Sequence, residues 1–238
     1  MFLQGRFFVF HVFFDRHTCI LFHAGLYFGR KLLLISSIAM TPFPHNTPPD
    51  NSAPLLLHCC CGPCAAGSIA PVLETKRGLT LLFSNSNLDT EAEYLRRLDA
   101  LKTLADYYGL RVETDPWDHD GWLKFVSVVP NYADCPERGE RCRRCFLWQL
   151  TRTAGFAEKT GAHFTTTLTL GPQKNSAVIH EIGARWTEFE PWDFKKGGGG
   201  MRSLALCRQL GLYRQNYCGC EFSKRGRDVQ NRTSSLPE

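Results

Sequence analysis

The sequence predicts an α/β fold in which a mainly parallel sheet carries helices on both faces. The short apolar run at residues 55–57 is typical of a strand that is covered on both faces. A second strand-like run, residues 79–85, follows, and helical and strand-like segments then alternate as far as residue 183. Because strands that alternate with helices usually form parallel sheets, this order favours the α/β class.

The most clearly predicted helix begins after Thr90 and ends at Gly109. Thr90 and Glu93 have the spacing of a capping box, and apolar side chains then recur at helical spacing. The remaining elements are predicted in this order: a strand at 110–113, a weak helix at 121–128, a helix at 142–160, a strand at 163–168, and helices at 176–183 and 202–210. We interpret the glycine run at 197–200 as a flexible hinge before the last helix.

A single domain is expected at residues 54–224. Residues 1–53 are interpreted as an extension outside this domain, and residues 225–238 as a disordered polar tail. We hypothesise that translation starts at Met40, because charges interrupt the aromatic-rich stretch before it and a proline-rich segment follows it. A targeting segment is the alternative. No uninterrupted apolar run in this stretch approaches the roughly 20 residues of a membrane span, so no membrane partner is expected.

The charge of the chain is unevenly distributed. A hydrophobic content of 43% and a charged content of 21% are typical of a globular domain, and the formal net charge is +5. Residues 195–232 contain nine Lys or Arg but only two acidic residues, Glu221 and Asp228. Such a basic segment favours a polyanionic partner such as nucleic acid, and a solvated basic face is the alternative.

The cysteines fall mainly into three tight groups. These groups are HCCCGPC at 58–64, RCRRC at 141–145 and YCGC at 217–220. Adjacent cysteines and a C-x-C pair suit metal binding better than disulfides, which favours a reduced, cytoplasmic metal protein. The first group directly follows the first strand of the domain, so we expect it at the carboxyl end of the sheet, where α/β folds bind ligands.

Seven cysteines are candidate metal ligands: Cys60, Cys61, Cys64, Cys142, Cys145, Cys218 and Cys220. One of the three consecutive cysteines is expected to be a non-ligand, since neighbours in an extended chain cannot all point the same way. A structural zinc ion and a cubane cluster each take four ligands. Seven thiolates therefore favour two metal centres, or one cluster with a redox pair, while a zinc-only protein remains an alternative.

Six motifs together make the chain recognisable. HCCCGPC, SNSNLDTEAEYLRRL, PERGERCRRCF, FTTTLTLGPQKNS, DFKKGGG and YRQNYCGCEFS occur in this order. Over residues 54–224 they closely resemble the cobalamin-independent epoxyqueuosine reductases, the QueH family. The resemblance implies a Rossmann-like fold of the nucleotide-binding α-hydrolase and PP-loop type. It also implies the last step of queuosine biosynthesis, the reduction of epoxyqueuosine to queuosine at the wobble position of tRNA anticodons.

The resemblance also implies the cofactors and the partners. It implies a [4Fe–4S] cluster beside an additional mononuclear iron, which are held by cysteines, a carboxylate and a cluster sulfide; we map the family's cysteines onto the seven candidates. For the carboxylate we predict Asp118, in preference to Asp115, Asp134 and Asp193. The expected partners are tRNA carrying epoxyqueuosine and an external electron donor such as a ferredoxin or flavodoxin, in the cytoplasm. Cys59, and the Gly before Pro in GPQKNS, depart from the family pattern.

Three other classes of protein fit parts of the pattern. A zinc-ribbon-like RNA-binding module explains the paired cysteines and the basic segment without catalysis, and predicts colourless protein. An iron–sulfur redox sensor explains the cysteines but predicts indifference to tRNA modification. A tRNA-thiolating PP-loop enzyme is expected to have an SGGxDS-like loop after the first strand, where this chain has HCCCGPC.

Overall fold

The computed structural model describes residues 26–28, 31–33 and 52–233, with side chains for 52–227. The chain divides into two units, residues 1–47 and 48–238. In the first unit β1 (Leu26–Phe28) pairs antiparallel with β2 (Lys31–Leu33). The hypothesis of a start at Met40, and the last five residues of the expected tail, lie outside the described residues.

The second unit contains a four-stranded, wholly parallel sheet. Its strands, β3 (Leu55–His58), β4 (Leu79–Phe83), β5 (Arg111–Thr114) and β6 (His163–Thr166), lie in the order β5-β4-β3-β6. Each strand begins close to its predicted position. The predicted α/β class and parallel sheet are therefore confirmed.

Seven helices connect and flank these strands within residues 52–233. They are α1 (Gly62–Leu73), α2 (Glu91–Tyr108), α3 (His119–Val126), α4 (Glu140–Thr160), α5 (Ser176–Gly183), α6 (Gly199–Gln209) and α7 (Glu221–Thr233). Short 3-10 helices occupy Thr167–Leu170 and Lys196–Gly198. Among the helices of the described residues, none has both the length and the apolar character needed to cross a membrane.

At the start of α2, only one of the two hydrogen bonds of the predicted capping box forms. The Thr90 side chain accepts a 3.2 Å hydrogen bond from the Glu93 backbone N–H. The Glu93 carboxylate does not complete the box, because it accepts a 2.7 Å bond from Arg97 instead. Gly109 ends the helix with a φ of 64°, as its position predicted. Glu93 therefore forms an ion pair within α2 in place of the second capping bond, and its partner, Arg97, is buried.

Helices cover the sheet on both faces, as predicted. Along β3, Leu55 and Leu57 pack into a core with α1, α2 and α6, whereas Leu56 packs into a second core with α4 and α5. Alternate side chains of a strand point to opposite faces, so this apolar run serves two cores. The chain adds β4 and β5 on one side of β3 and then β6 on the other. The reversal opens a crevice at the carboxyl ends of β3 and β6, where ligands of such folds bind.

Two segments differ from the sequence predictions. The glycine run at 197–200, predicted as a hinge, ends the second 3-10 helix and begins α6; Gly199 is closely packed, because a Cβ on it would overlap the Phe194 carbonyl oxygen, whereas a Cβ on Gly197 or Gly200 meets nothing within 4 Å. The expected disordered tail is helical from residue 225 to the end of α7 at Thr233. In α7 the Arg225 guanidinium lies over the Phe222 ring, 5.0 Å from its centroid. This helix begins directly after the third cysteine group.

Candidate metal centre

The first cysteine group forms a compact site at the end of β3. The sulfur atoms of Cys60, Cys61 and Cys64 all lie within 4.8 Å of one another, and no other such group of three potential ligands occurs among the described residues. Cys61 is the N-cap of α1, and its sulfur accepts a 3.4 Å bond from the Cys64 N–H. Pro63 suits this first turn because a proline there removes a donor that has no partner in the helix. The group can therefore hold a single ion with little movement.

Buried polar residues fix the end of β3. The imidazole of His58 contacts the Thr166 hydroxyl through Nδ1 at 2.8 Å, and Nε2 donates to the Ser84 carbonyl oxygen at 3.1 Å. His58 therefore joins the ends of β4 and β6 to its own strand. Cys59 points away from the site, and its thiol donates to the Leu57 carbonyl oxygen at 3.3 Å. Among the three consecutive cysteines, Cys59 is thus the one that lies outside the group of close sulfur atoms, and it packs in the core with Leu55 and Leu57.

The three thiols of this group differ in ionisation. Hydrogen bonds from Cys61 and Cys64 lower the pKa of Cys60, and the positive charge of Lys174 adds to that effect. The same hydrogen bonding with Cys60 raises the pKa of Cys61 to about 12 and raises the pKa of Cys64 as well. Without a metal, Cys60 is therefore the thiol of this group that ionises most readily.

The second and third cysteine groups meet around a small cavity. Cys142 and Cys145 lie one turn apart near the start of α4, and Cys218 and Cys220 precede α7. All four line a cavity of about 40 Å³. Burial, followed by the neighbouring thiols of Cys218 and Cys220, raises the pKa of Cys145. Four thiols that line one small cavity form a site that favours a positive ion.

Backbone geometry brings Cys218 and Cys220 to the same side. Gly219 has a φ of 137°, and a Cβ there would overlap the Leu88 side chain. The Gly219 carbonyl oxygen accepts a 2.9 Å bond from the Asp89 N–H, and the Cys218 N–H donates to the Ser223 hydroxyl at 3.0 Å. Glycine at this position therefore permits both the turn and the close approach of the loop to the start of α2.

A larger cleft of about 850 Å³ connects the first and the third cysteine groups. Cys60, Cys64 and Cys218 all line it, which brings the first and third groups to one opening. Its wall also carries these basic residues: Arg97, Arg141, Lys174, Arg225 and Arg227. A cleft of this size and charge suits an anionic ligand the size of a nucleotide.

Lys174 lines both the small cavity and the large cleft. Burial alone would lower the pKa of Lys174, but the thiols of Cys60, Cys218 and Cys64 outweigh that effect and raise it. The loop is held by the Lys174 N–H, which donates to the Gly171 carbonyl oxygen at 3.0 Å. Lys174 is therefore a fixed positive charge between the cysteine groups.

Several residues that contact the cysteines have no signal in the sequence. The Gln149 side-chain amide donates to the Cys145 sulfur at 3.1 Å, and the Thr167 hydroxyl donates to the Cys60 sulfur at 3.5 Å. Gln149 lies one turn after Cys145 on α4, and that spacing could have suggested the contact. Thr167 and Arg97 approach through tertiary structure alone.

Asp118, the predicted carboxylate ligand, caps a helix. Its Oδ1 accepts a 3.0 Å bond from the Gly121 N–H as the N-cap of α3, and it lines neither the cavity nor the cleft. Asp115 is buried in an ion pair with Arg152. Of the four aspartates considered, only Asp134 lines the cleft. The role of Asp118 as an iron ligand stays a prediction.

A comparison with known families accounts for this arrangement. The family model described as epoxyqueuosine reductase QueH matches residues 55–226. This chain belongs to the QueH family. All seven candidate cysteines lie inside the matched segment.

Individual members of the QueH family support the assignment. Proteins named epoxyqueuosine reductase QueH from Thermotoga maritima and Acinetobacter baylyi are 36% and 32% identical, over 71% and 74% of this chain and 89% and 83% of theirs. The protein of that name from Streptococcus pyogenes is 32% identical, over 71% of this chain and 69% of its own. Among solved structures, NMN synthetase from Francisella tularensis aligns with a TM-score of 0.42 and 12% identity, over 78% of this chain and 79% of that chain.

Proposed function

We propose that this chain reduces epoxyqueuosine in tRNA to queuosine, the last step of queuosine biosynthesis. One observation carries the proposal: in a member of the QueH family, three cysteine groups that are distant in sequence line a small cavity and a basic cleft, which share Cys218 and Lys174 as lining residues. The reaction takes two electrons and two protons, breaks both carbon–oxygen bonds of the epoxide, forms a carbon–carbon double bond and releases water. The site therefore has to supply electrons and draw off an oxygen.

The seven cysteines are proposed to hold a [4Fe–4S] cluster and an additional mononuclear iron. Thiolates are soft ligands that suit iron–sulfur centres and zinc rather than magnesium or calcium. Three sulfurs are close enough to share one ion, and four more surround a second cavity, which is the supply that two centres need. When bound, such a centre supplies single electrons and a Lewis acid for the departing oxygen.

The chain's own residues are proposed to bind and orient the substrate. The cleft of about 850 Å³ is large enough for a nucleotide that is turned out of the anticodon loop. Arg225 and Arg227, both exposed at the start of α7, are placed to contact phosphates beside it. Lys174 lies between the cysteine groups, where its positive charge is placed to attract the epoxide oxygen of the modified base.

The electrons are proposed to come from an external donor. Because a cubane cluster passes one electron at a time, the donor has to deliver single electrons, as a ferredoxin or a flavodoxin does. Cysteines bind iron as reduced thiolates, so we propose that the reaction takes place in the reducing cytoplasm.

The first experiment is metal analysis of the protein purified without oxygen, followed by assay on tRNA that contains epoxyqueuosine. We expect about five irons and four sulfides per chain, the content of one cubane and one further iron, and conversion to queuosine with a chemical reductant. Cys142→Ala should lose iron, whereas Cys207→Ala, which removes a buried cysteine of α6, should retain it. Zinc without sulfide would instead favour the RNA-binding module, and a stable cluster without conversion the redox sensor.

A further inference from the structure

Arg97 is a buried arginine whose bonds lead to the third cysteine group. Its side chain is 2% exposed, and its Nε donates to Glu93 Oε1 at 2.7 Å. Its Nη1 donates to the Cys218 carbonyl oxygen at 2.9 Å, across 121 residues of sequence. The Nη2 atom is also buried, and it has no hydrogen-bond partner among the described residues. The Nη2 nitrogen, with its N–H groups, is therefore left to donate to a ligand.

The surroundings of Arg97 indicate what that ligand is. Arg97 lines the large cleft together with Cys60 and Cys64. Burial alone would lower the pKa of Arg97, but Cys61, Glu93 and Cys218 outweigh that effect and raise it, so the guanidinium interacts with thiols from two different groups. Arg97 therefore lies between the first and the third cysteine groups.

The positive charge of Arg97 is only partly neutralised by the protein. Its single carboxylate partner, Glu93, also accepts bonds of 3.2 and 3.1 Å from the Tyr213 hydroxyl. An unpaired N–H of a buried cation is costly, because the charged group has lost its hydration. A negative sulfur centre beside Arg97 would offset that cost.

We propose that Arg97 is a positioning residue of the metal centre, which holds the Cys218–Cys220 loop against α2 and donates its remaining N–H to a sulfur of the bound centre. The proposal rests on the proposed function, since it requires a centre held by these cysteines. Reduction adds negative charge to such a centre. A fixed cation and an N–H donor at its sulfur favour the reduced state and so raise its reduction potential.

Arg77 provides a matched control in the same domain. Its side chain is 4% exposed, its Nη1 pairs with Glu190 at 2.8 Å, and its Nη2 likewise has no partner among the described residues. Its Nε donates to the Ala53 carbonyl oxygen, before the start of β3 and so at the opposite end of the sheet from the cysteines. A change at Arg77 therefore removes a similar buried ion pair without touching the site.

The test compares Arg97→Met, Arg97→Lys and Arg77→Met in reconstituted protein. One readout is the midpoint potential of the cluster in an EPR-monitored redox titration. The other is hydrogen exchange at the Asp89 amide, which donates to Gly219 and reports whether the loop is attached. We expect a more negative potential in Arg97→Met, a smaller shift in Arg97→Lys because the charge is kept, and no shift in Arg77→Met. Exchange at Asp89 should be about tenfold faster or more in Arg97→Met, the effect of losing a bond from a charged donor.

The outcomes separate this inference from the proposed function. A wild-type potential in an Arg97→Met protein that carries the cluster overturns the donor role, and unchanged exchange at Asp89 overturns the positioning role. If Arg97→Met does not fold, Arg97→Lys decides between the same two results. A wild-type protein that binds no cluster overturns the proposed function and the donor role, while exchange in the metal-free protein still decides the positioning role.

Discussion

The backbone N–H of Cys60 donates a 3.1 Å hydrogen bond to the hydroxyl of Thr167, which lies 107 residues further along the chain. The same hydroxyl donates to the Cys60 sulfur at 3.5 Å. One side chain therefore fixes both the backbone and the sulfur of the first candidate ligand. It also ties the end of β3 to the 3-10 helix that follows β6.

Thr167→Val should raise the pKa of the Cys60 thiol, because the hydroxyl that stabilises the thiolate is lost. Alkylation of Cys60 in metal-free protein should then need a higher pH, and stability should fall by about 1–3 kcal/mol from the unpaired Cys60 N–H. Thr165→Val is the control, since it removes a buried hydroxyl that bonds the Glu190 carbonyl oxygen. An unchanged pH profile for Thr167→Val would contradict the assigned role.

Gly219→Ala should displace the Cys218–Cys220 loop. The alanine is strained at a φ of 137°, and its Cβ overlaps Leu88, so we expect a loss of more than about 1 kcal/mol and a loss of bound iron. Gly161→Ala also places alanine at a positive φ, but at 62° the strain is milder than at 137°, and its Cβ meets nothing within 4 Å. Iron and sulfide analysis should therefore separate the two variants; equal iron content would show that the loop tolerates the side chain.

Asp118→Asn tests the predicted carboxylate ligand. Asparagine caps helices as well as aspartate does, so α3 should remain intact. If Asp118 binds the mononuclear iron, the variant should lose about one iron per chain and its activity while retaining the cluster spectrum. Asp134→Asn, made in the aspartate that lines the cleft, is the comparison. Full iron content and turnover in Asp118→Asn would exclude it as a ligand.

Arg225→Ala should weaken tRNA binding and reduce its dependence on salt. Loss of one phosphate contact lowers the slope of log affinity against log salt concentration by about one. Lys159→Ala is the control, because Lys159 is an exposed cation near the end of α4 that does not line the cleft. Binding should be measured by filter retention at several salt concentrations. Equal slopes for Arg225→Ala and the wild-type protein would show that Arg225 makes no phosphate contact.

Protonation of Glu190 should make the domain less stable at acidic pH. Burial opposes its ionisation, but hydrogen bonds from Trp192 and Arg77 outweigh burial and lower the pKa of Glu190. Its contribution is therefore complete above the unfolded value of about 4.3 and is lost as the pH falls through the lower, folded pKa. In Glu190→Gln, the denaturation midpoint should change less between about pH 5 and pH 3 than it does in the wild-type protein. An equally steep decline in the variant would assign acid unfolding to other groups.

The features that the sequence predicted are those set by neighbouring residues. The Thr90 cap, the Gly109 stop and the cysteine group that follows β3 each depend on a few consecutive positions. The expected sheet placed only the first cysteine group at its carboxyl end, and the role of all three groups in one metal site was implied by the family resemblance. Arg97 and Thr167 could not be predicted, because each acts on a residue more than a hundred positions away. The prediction of a disordered tail from residue 225 was wrong as far as Thr233, because its polar sequence gave no signal for α7. At the start of this helix, an arginine lies over an aromatic ring.

The position of Gly219 also bears on how the metal centre is assembled. Its two flanking cysteines belong to the last loop before the final helix, whereas Cys60, Cys61 and Cys64 belong to the first strand–helix unit of the domain. During synthesis the early thiols emerge long before the late ones, so a nascent chain carries an incomplete ligand set until the domain is nearly finished. Assembly of the proposed iron centre would therefore be completed only after translation, and a chain truncated before residue 217 would lack two of the seven candidate ligands even if its sheet were formed.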